Sequence, residues 1–303
     1  MSSTTNGPQP KAEEKQRTVT RDSLLCYRVT GAGLEELDAP AGSLDDVSGW
    51  LPRGVYTTFR TYEGGRVLRL NEHLDRLDES ARLLGQGPPP DHQALRRATG
   101  TALRRSGWPL ARVRLTVASD PPGATYVTLT PFAEPSPERY KRGVRVITVR
   151  SLTRQTPRAK STGFVDAGAR ARAAAPAGTE EALLVDADGR VLEGTSSNFF
   201  GVLSGRLRTA GEGVLEGITR SLVLELAAEA LPVDLTPVVV GDLGRLDEAF
   251  ITSASRAVLP VVEIDGQPVG TGHPGPVSEL IGRRYRARLD DELEPLAPQE
   301  DDA

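Results

Sequence analysis

Between Glu181 and Thr209 the chain runs EALLVDADGRVLEGTSSNFFGVLSGRLRT, short apolar stretches punctuated by Asp188-Gly189 and Ser204-Gly205. Dipeptides of this kind suit tight turns between neighbouring strands. The segment therefore reads as strands joined directly to one another, with no helix between them. Elsewhere strand-like and helix-like stretches mix without regular βαβ order. The expected fold class is α+β.

The rest of the chain supplies the other elements. Alternation in VYTTFRTY, then Gly64-Gly65, then RVLRL predicts a hairpin. HLDRLDESARLLG carries Leu74, Leu77, Ala81 and Leu84 at helical spacing and stops at Gly85. Asp91 is placed to cap a further helix running to about Ser106. ARVRLTVAS and ATYVTLTPF read as paired strands, and PFAEPSPERYKRG as a Pro-rich, charged linker. A strand at VRVITV, a helix from Asp166 to Ala175 and a helix from Thr219 to Ala230 follow. Residues 1–20 and the acidic run DDELEPLAPQEDDA are expected to be solvated tails.

Composition excludes several classes of function. The chain has 303 residues, enough for two domains, and a net charge of -4, which argues against a nucleic-acid partner held by a basic field. No apolar stretch approaches the ~18 residues of a membrane span. The polar start has no apolar signal region, so the cytoplasm is the expected compartment. A single cysteine, Cys26, excludes an internal disulfide and a cysteine-built zinc site, and no metal is expected.

Lysine is scarce. Among 37 basic residues only Lys11, Lys15, Lys141 and Lys160 are lysines. Lys160 alone lies inside the second half, after a strand and before a helix. A lysine amine is a nucleophile toward aldehydes when neutral, and burial favours the neutral form. Taken alone it reads as one more surface cation. Glu193 ends a strand, where a carboxylate can serve either as a solvated end or as the partner of a protonated ring nitrogen. LEGITR opens a helix at Gly217, Ile218 and Thr219; such a start offers free N–H groups to a phosphate, or is an ordinary N-terminus. Arg76 could hold a phosphate or lie on a helix surface, and His73 reads as a packed or capping histidine. Ser253 and Ser255 sit in a Ser-rich turn, ITSASRAV.

The order of these signals along the chain resembles the class IV aminotransferases, the family of branched-chain aminotransferase, D-amino acid aminotransferase and aminodeoxychorismate lyase. HLDRL, a lysine, EALLVDADGRVLEGTSSNFF, LEGITR, the Ser-rich loop and VVEIDGQPVGTGHPGP follow one another as in that family. The resemblance covers residues from Gly54 to Arg288, and Glu181 to Leu226 is its most specific part. It implies a two-domain fold type IV enzyme, with a small N-terminal and a larger C-terminal α/β domain and pyridoxal 5'-phosphate between them. The corresponding bounds are 21–133 and 143–290, with a linker at 134–142 and tails at 1–20 and 291–303.

The same resemblance implies roles. Lys160 corresponds to the lysine that carries the cofactor, and Glu193 to the partner of its ring nitrogen. Arg76, Ile218 and Thr219 correspond to phosphate ligands. Ser253, Ala254 and Ser255 form the loop flanking phosphate and substrate carboxylate. Tyr56, Thr58 and Arg114 fall on the substrate side. The implied activity is transamination between an amino acid, branched-chain-like or D-configured, and a 2-oxo acid, in a homodimer. The lyase reaction and cofactor binding without turnover are the alternatives. The chain also departs from the family. SLDDVSGWLPRG replaces the usual Asp-Arg-Gly approach to the first pocket strand. Phe164 stands near where a tyrosine is common, Ala254 where a threonine is common, and Thr57-Thr58 is similar to the lyase.

Overall fold

The computed structural model describes residues 23–39, 42–87 and 91–296. The first part of the chain forms β1 (Leu25–Thr30), β2 (Gly33–Leu37), α1 (Leu44–Trp50), β3 (Gly54–Arg60), β4 (Arg66–Leu68), α2 (Leu70–Leu83), α3 (His92–Ser106), β5 (Ala111–Ala118) and β6 (Thr125–Pro131). Five of these strands make an antiparallel sheet in the order β2-β1-β6-β5-β3. Successive side chains on a strand face opposite ways. On β3 and β5, Val55, Phe59, Val113, Leu115 and Val117 pack in one apolar cluster with Leu74, Leu77 and Ala81 of α2 and Leu95 and Ala102 of α3. The alternate positions Tyr56, Thr58, Arg112 and Arg114 are left for the other face, where they line a cavity.

The helices follow their local signals. Asp91 accepts a hydrogen bond from the Gln93 N–H at 2.9 Å and caps α3. Gly85, just beyond α2, has φ 62°, the left-handed conformation that suits a helix stop. The Gly64-Gly65 hairpin is not formed. All seven residues of β3 pair with β5, from Gly54–Ala118 to Arg60–Arg112. Only a Tyr62–Arg66 bridge crosses the glycine turn. The physical reason is length: β4 stops at Leu68 because α2 begins at Leu70, so it cannot match β3.

A short helix α4 (Pro137–Arg142) occupies the expected linker. Beyond it come β7 (Val144–Val149), α5 (Val165–Ala173), β8 (Thr179–Val185), β9 (Val191–Gly194), β10 (Asn198–Leu203), β11 (Arg206–Arg208), α6 (Ile218–Ala228), β12 (Val233–Asp234), β13 (Glu248–Ser253), β14 (Ala257–Ile264), β15 (Gln267–Pro268), α7 (Pro276–Glu292) and β16 (Leu293–Pro295). The second sheet runs β12-β11-β10-β13-β14-β7-β8-β9, with β15 on β14. β9 also pairs with β10 through Glu193 and Asn198, so β7, β8, β9, β10, β13 and β14 close into a ring. Strand alternation again divides the core. Phe199, Ile251, Leu259 and Val261 join one cluster. Phe200, Phe250 and Val258 pack with Leu222 and Leu226 of α6 and Ile281 and Tyr285 of α7.

The acidic C-terminal run is not wholly a tail. Its first residues complete α7, and β16 pairs antiparallel with β4 from the other end of the chain. Leu296 is buried. Apolar Leu293 and Leu296, spaced among the acids, have partners in the first half that an isolated acidic segment would lack. The expected N-terminal tail, residues 1–20, and the end of the C-terminal one lie outside the described residues. Among the described residues no helix is long and apolar enough to cross a membrane.

Candidate active site

A cavity of about 330 Å³ is lined by residues of both sheets. It gathers every residue that the sequence placed in the site: Tyr56, Thr58, Arg76, Arg114, Lys160 and Glu193, then Ile218 and Thr219, then Ser253, Ala254 and Ser255.

Lys160 follows β7 in a segment tied to the first sheet. Its N–H donates to Ser80 Oγ of α2 at 3.1 Å, and its carbonyl accepts from the Tyr56 N–H at 2.9 Å. The Nζ atom lies 4.8 Å from the centre of the Tyr56 ring. Burial, with Arg76, Arg154 and Arg114 nearby, pulls the ammonium down to about 8. At that value a sizeable fraction of neutral amine exists near neutral pH. Burial raises the Tyr56 phenol, but Lys160, Arg114 and Arg154 outweigh it and hold the hydroxyl below its ordinary value.

Glu193 is 2% exposed. Its Oε1 accepts from Arg154 Nε at 2.7 Å; its Oε2 accepts from the Leu215 N–H at 3.2 Å and from Asn198 Nδ2 at 3.3 Å. Burial pushes the carboxyl up, and Arg154 offsets part of the rise. A carboxylate has about four acceptor sites, so three protein donors leave room for one more. Arg154 in turn lies 3.8 Å over the Phe164 ring. Asn198 reaches the Leu215 carbonyl as well, at 2.8 Å. That approach requires Gly217, since a Cβ there would collide with Asn198 Oδ1.

Another part of the cavity lining suits an anion. The first turn of α6 opens on it through Gly217, Ile218 and Thr219. N–H groups at a helix start have no partner within the helix, and the dipole there is positive. The Gly217 side offers no side-chain cap. Arg76 Nε and Thr252 Oγ1 are buried with no hydrogen-bond partner among the described residues, and Thr219 Oγ1 lies beside the Tyr285 hydroxyl. Arg76 is held in place by the Glu216 carbonyl at 3.1 Å and by Thr57 Oγ1 at 3.2 Å. Burial lowers its pKa to about 10, still a cation at neutral pH. His73 is buried beside it, with Nδ1 at 2.9 Å from Thr57 Oγ1. Burial, Arg76 and Lys160 hold this ring neutral, as a packed histidine. In the Ser-rich turn, Ser253 Oγ accepts from Arg256 Nε at 3.0 Å.

Further charged groups enter that the sequence reading did not single out. Asp45 of α1 accepts from Arg114 at 2.8 Å with one oxygen and from Arg172 of α5 at 2.9 Å with the other. Arg114 also donates to the Leu44 carbonyl, to Ser48 Oγ and to Thr58 Oγ1. Arg256 reaches Glu180, Glu181 and Ser196. Glu181 is fully buried, and the loop Thr195–Ser197 wraps it with three hydroxyl donors. Burial raises the Glu181 carboxyl, while Arg256 and these hydroxyls bring it below its ordinary value. Gly194 makes the wrap possible, because a Cβ there would strike Ser197 Oγ and the Glu181 side chain. Arginines this numerous carry no positional signal. Only the expected strand alternation of ARVRLTVAS, which sets Arg112 and Arg114 on one face, could have marked two of them.

Residues 54–264 match the family model described as amino-transferase class IV. The branched-chain-amino-acid aminotransferase of Pseudomonas aeruginosa is 30% identical over 254 residues, covering 77% of this chain and 82% of that protein. The D-alanine aminotransferase of Bacillus licheniformis is 32% identical over 243 residues, 75% of this chain and 84% of that protein. Among solved structures, a T.th. branched-chain amino acid aminotransferase with pyridoxamine 5'-phosphate is similar with a TM-score of 0.76. It is 26% identical, and the match covers 90% of this chain and 99% of that one.

Proposed function

Because the chain belongs to the class IV aminotransferase family, we propose that Lys160 and Glu193 carry out transamination between an amino acid, branched-chain-like or D-configured, and a 2-oxo acid. The enzyme is a pyridoxal-phosphate-dependent aminotransferase. The observation that carries the residue assignment is Lys160: alone among the described lysines it lines the cavity, with its amine pulled down to about 8. The aminotransferase names of the relatives favour transfer over the lyase alternative.

The residues present fit pyridoxal phosphate. Buried Thr252 Oγ1 and Arg76 Nε, on residues that line the cavity with the start of α6, lack partners among the described residues. Unpaired buried polar atoms are costly, and a phosphate would satisfy them. Arg76, Ile218 and Thr219 would hold the phosphate, with Ser253, Ala254 and Ser255 beside it. Glu193 would hold the ring nitrogen through its remaining acceptor site, and Lys160 the aldehyde carbon. When bound, the cofactor supplies an electron sink for the bond broken at the substrate α-carbon.

The protein's own part is proton handling and charge. Once the substrate amine has taken its place on the cofactor, neutral Lys160 Nζ would take the α-proton and pass it to the carbon that carried the aldehyde, the work of a general acid–base group with a pKa close to the operating pH. Arg154 fixes the orientation of Glu193 and offsets part of the desolvation that disfavours its charged form. Tyr56, Thr58 and Arg114 shape the substrate side. The two sheets form the cores of two domains, and the active species is a homodimer, as the family resemblance implies.

Borohydride treatment of the cofactor-loaded protein tests the central assignment. Covalent label is expected on the peptide holding Lys160, and amino-group transfer requires a 2-oxo acid acceptor. Label on Lys141, or turnover that needs no acceptor, would overturn it.

A further inference from the structure

The cationic side chains around the cavity divide by their partners. Arg154 is matched by Glu193, and Arg256 by Glu180 and Glu181. Arg114 and Arg172 share the two oxygens of Asp45. Arg76 and Lys160 belong to the cofactor side. Arg112 is left over. Its guanidinium makes no hydrogen bond or ion pair among the described residues, and its Nε is buried without a partner.

Arg112 stands on β5 two residues before Arg114, on the same face, and lines the cavity. Burial, with Arg114 and Arg256 close by, pulls it down to about 10, yet it stays a cation at neutral pH. Arg112 is half-buried, and Asp45 acts on it only from a distance, with no carboxylate in contact among the described residues. A guanidinium with a buried, unpaired Nε facing an open cavity is costly unless a ligand pairs with it. Arg114, by contrast, is fully engaged. Nε goes to Thr58, one terminal nitrogen to Leu44 and Ser48, and the other to Asp45. Asp45 comes from α1, the segment SLDDVSGW that replaces the family's usual approach to the pocket.

We propose that Arg112, not Arg114, is the guanidinium that binds a carboxylate of the substrate, and that Asp45 decides this by occupying Arg114 and Arg172. Arg112 is thus a specificity-determining residue and Asp45 a positioning one. The assignment rests on the aminotransferase reading for what the ligand is. It does not rest on that reading for the presence of an anion site. The carboxylate is either the one on the α-carbon or one on the side chain, and both are the same chemistry to a guanidinium.

Calorimetric binding of unreactive acids to the cofactor-loaded protein tests this without turnover. The probes are 4-methylpentanoate, with one carboxylate, and glutarate, with two. Arg112→Gln is expected to weaken binding by a factor on the order of 10 or more, the range of a charge-assisted hydrogen bond. Weakening of both acids assigns Arg112 to the α-carboxylate; weakening of glutarate alone assigns it to a side-chain carboxylate. Arg112→Lys, which keeps the charge, should recover part of the loss. Asp45→Asn leaves Arg114 and Arg172 without their carboxylate and should tighten both acids. Unchanged binding in Arg112→Gln, or weaker binding in Asp45→Asn, overturns the proposal. Binding that depends on Arg112 in a protein that transfers no amino group would instead count against the aminotransferase reading alone.

Discussion

Burial brings the Lys160 ammonium down to about 8 from 10.5, because water that would solvate the charge is excluded and three guanidiniums add repulsion. Capture of added pyridoxal phosphate by cofactor-free protein needs the neutral amine. Its rate should rise with pH and level off above about 8, followed by the growth of the cofactor absorption band. The folded value lies below the unfolded one. Between them the unfolded chain binds a proton that the folded chain lacks, so this site's contribution to stability grows as pH rises from about 8 to 10.5. A flat capture rate from pH 6 to 10 would contradict the assignment. At Glu193 the charge is what matters. Glu193→Gln keeps the shape and the phosphate ligands, so cofactor should remain bound. Turnover should fall by a factor on the order of 100 or more, equivalent to about 3 kcal/mol, because the carboxylate acts mainly in the transition state. Near-parental turnover in this variant would reduce Glu193 to a structural strand end.

At the level of elements, the site depends on how α2 is fastened to α6 and α7. Arg69 precedes α2 with φ 46°, a left-handed conformation unusual for a residue with a side chain. From there its guanidinium donates two parallel bonds to Glu225 of α6, at 2.8 and 2.7 Å, and one to Glu292 of α7 at 2.8 Å. The glutamates push the Arg69 cation further toward the charged form. Two of the three helices carry site residues: Arg76 lies on α2 and Thr219 on α6. Glu225 is half exposed, so solvent screens part of the attraction. Arg69→Ala should therefore cost about 1–2 kcal/mol of stability, measured by denaturant unfolding. Cofactor affinity should weaken alongside, as Arg76 and Thr219 lose their relative placement. A variant as stable as the parent would show that packing alone aligns these helices.

For the whole molecule, the two halves are joined by more than the linker. β16 returns to β4, and the Arg69 N–H donates to the Glu292 carbonyl at 3.0 Å. The cavity between them draws residues from both. Partner-completed pockets are what the family resemblance implies, so sedimentation equilibrium should give twice the chain mass, with activity falling on dilution below the dimer dissociation constant. A monomer with undiminished activity at high dilution would contradict this.

What could be read from the sequence is local. Helix periodicity and caps placed α2, α3 and α6, and turn dipeptides placed the strands from β8 to β11, because those signals act within a few residues. Four lysines in 303 residues left Lys160 conspicuous. Position along the chain marked Glu193, Arg76 and Thr219. Helix α7 escaped notice because Ile281 and Tyr285 are its main buried apolar residues amid a charged stretch. The pairing of β3 with β5 rather than across Gly64-Gly65 also had no local sign. Nor did the charge pattern of the pocket. Arg154 meets Glu193 across 39 residues, Arg114 meets Asp45 across 69, and Arg172 meets the same Asp45 across 127. Periodicity and capping do not reach that far. Which of many arginines contacts a carboxylate, and that Arg112 contacts none among the described residues, is decided only when the strands take their register and α1 closes against α5.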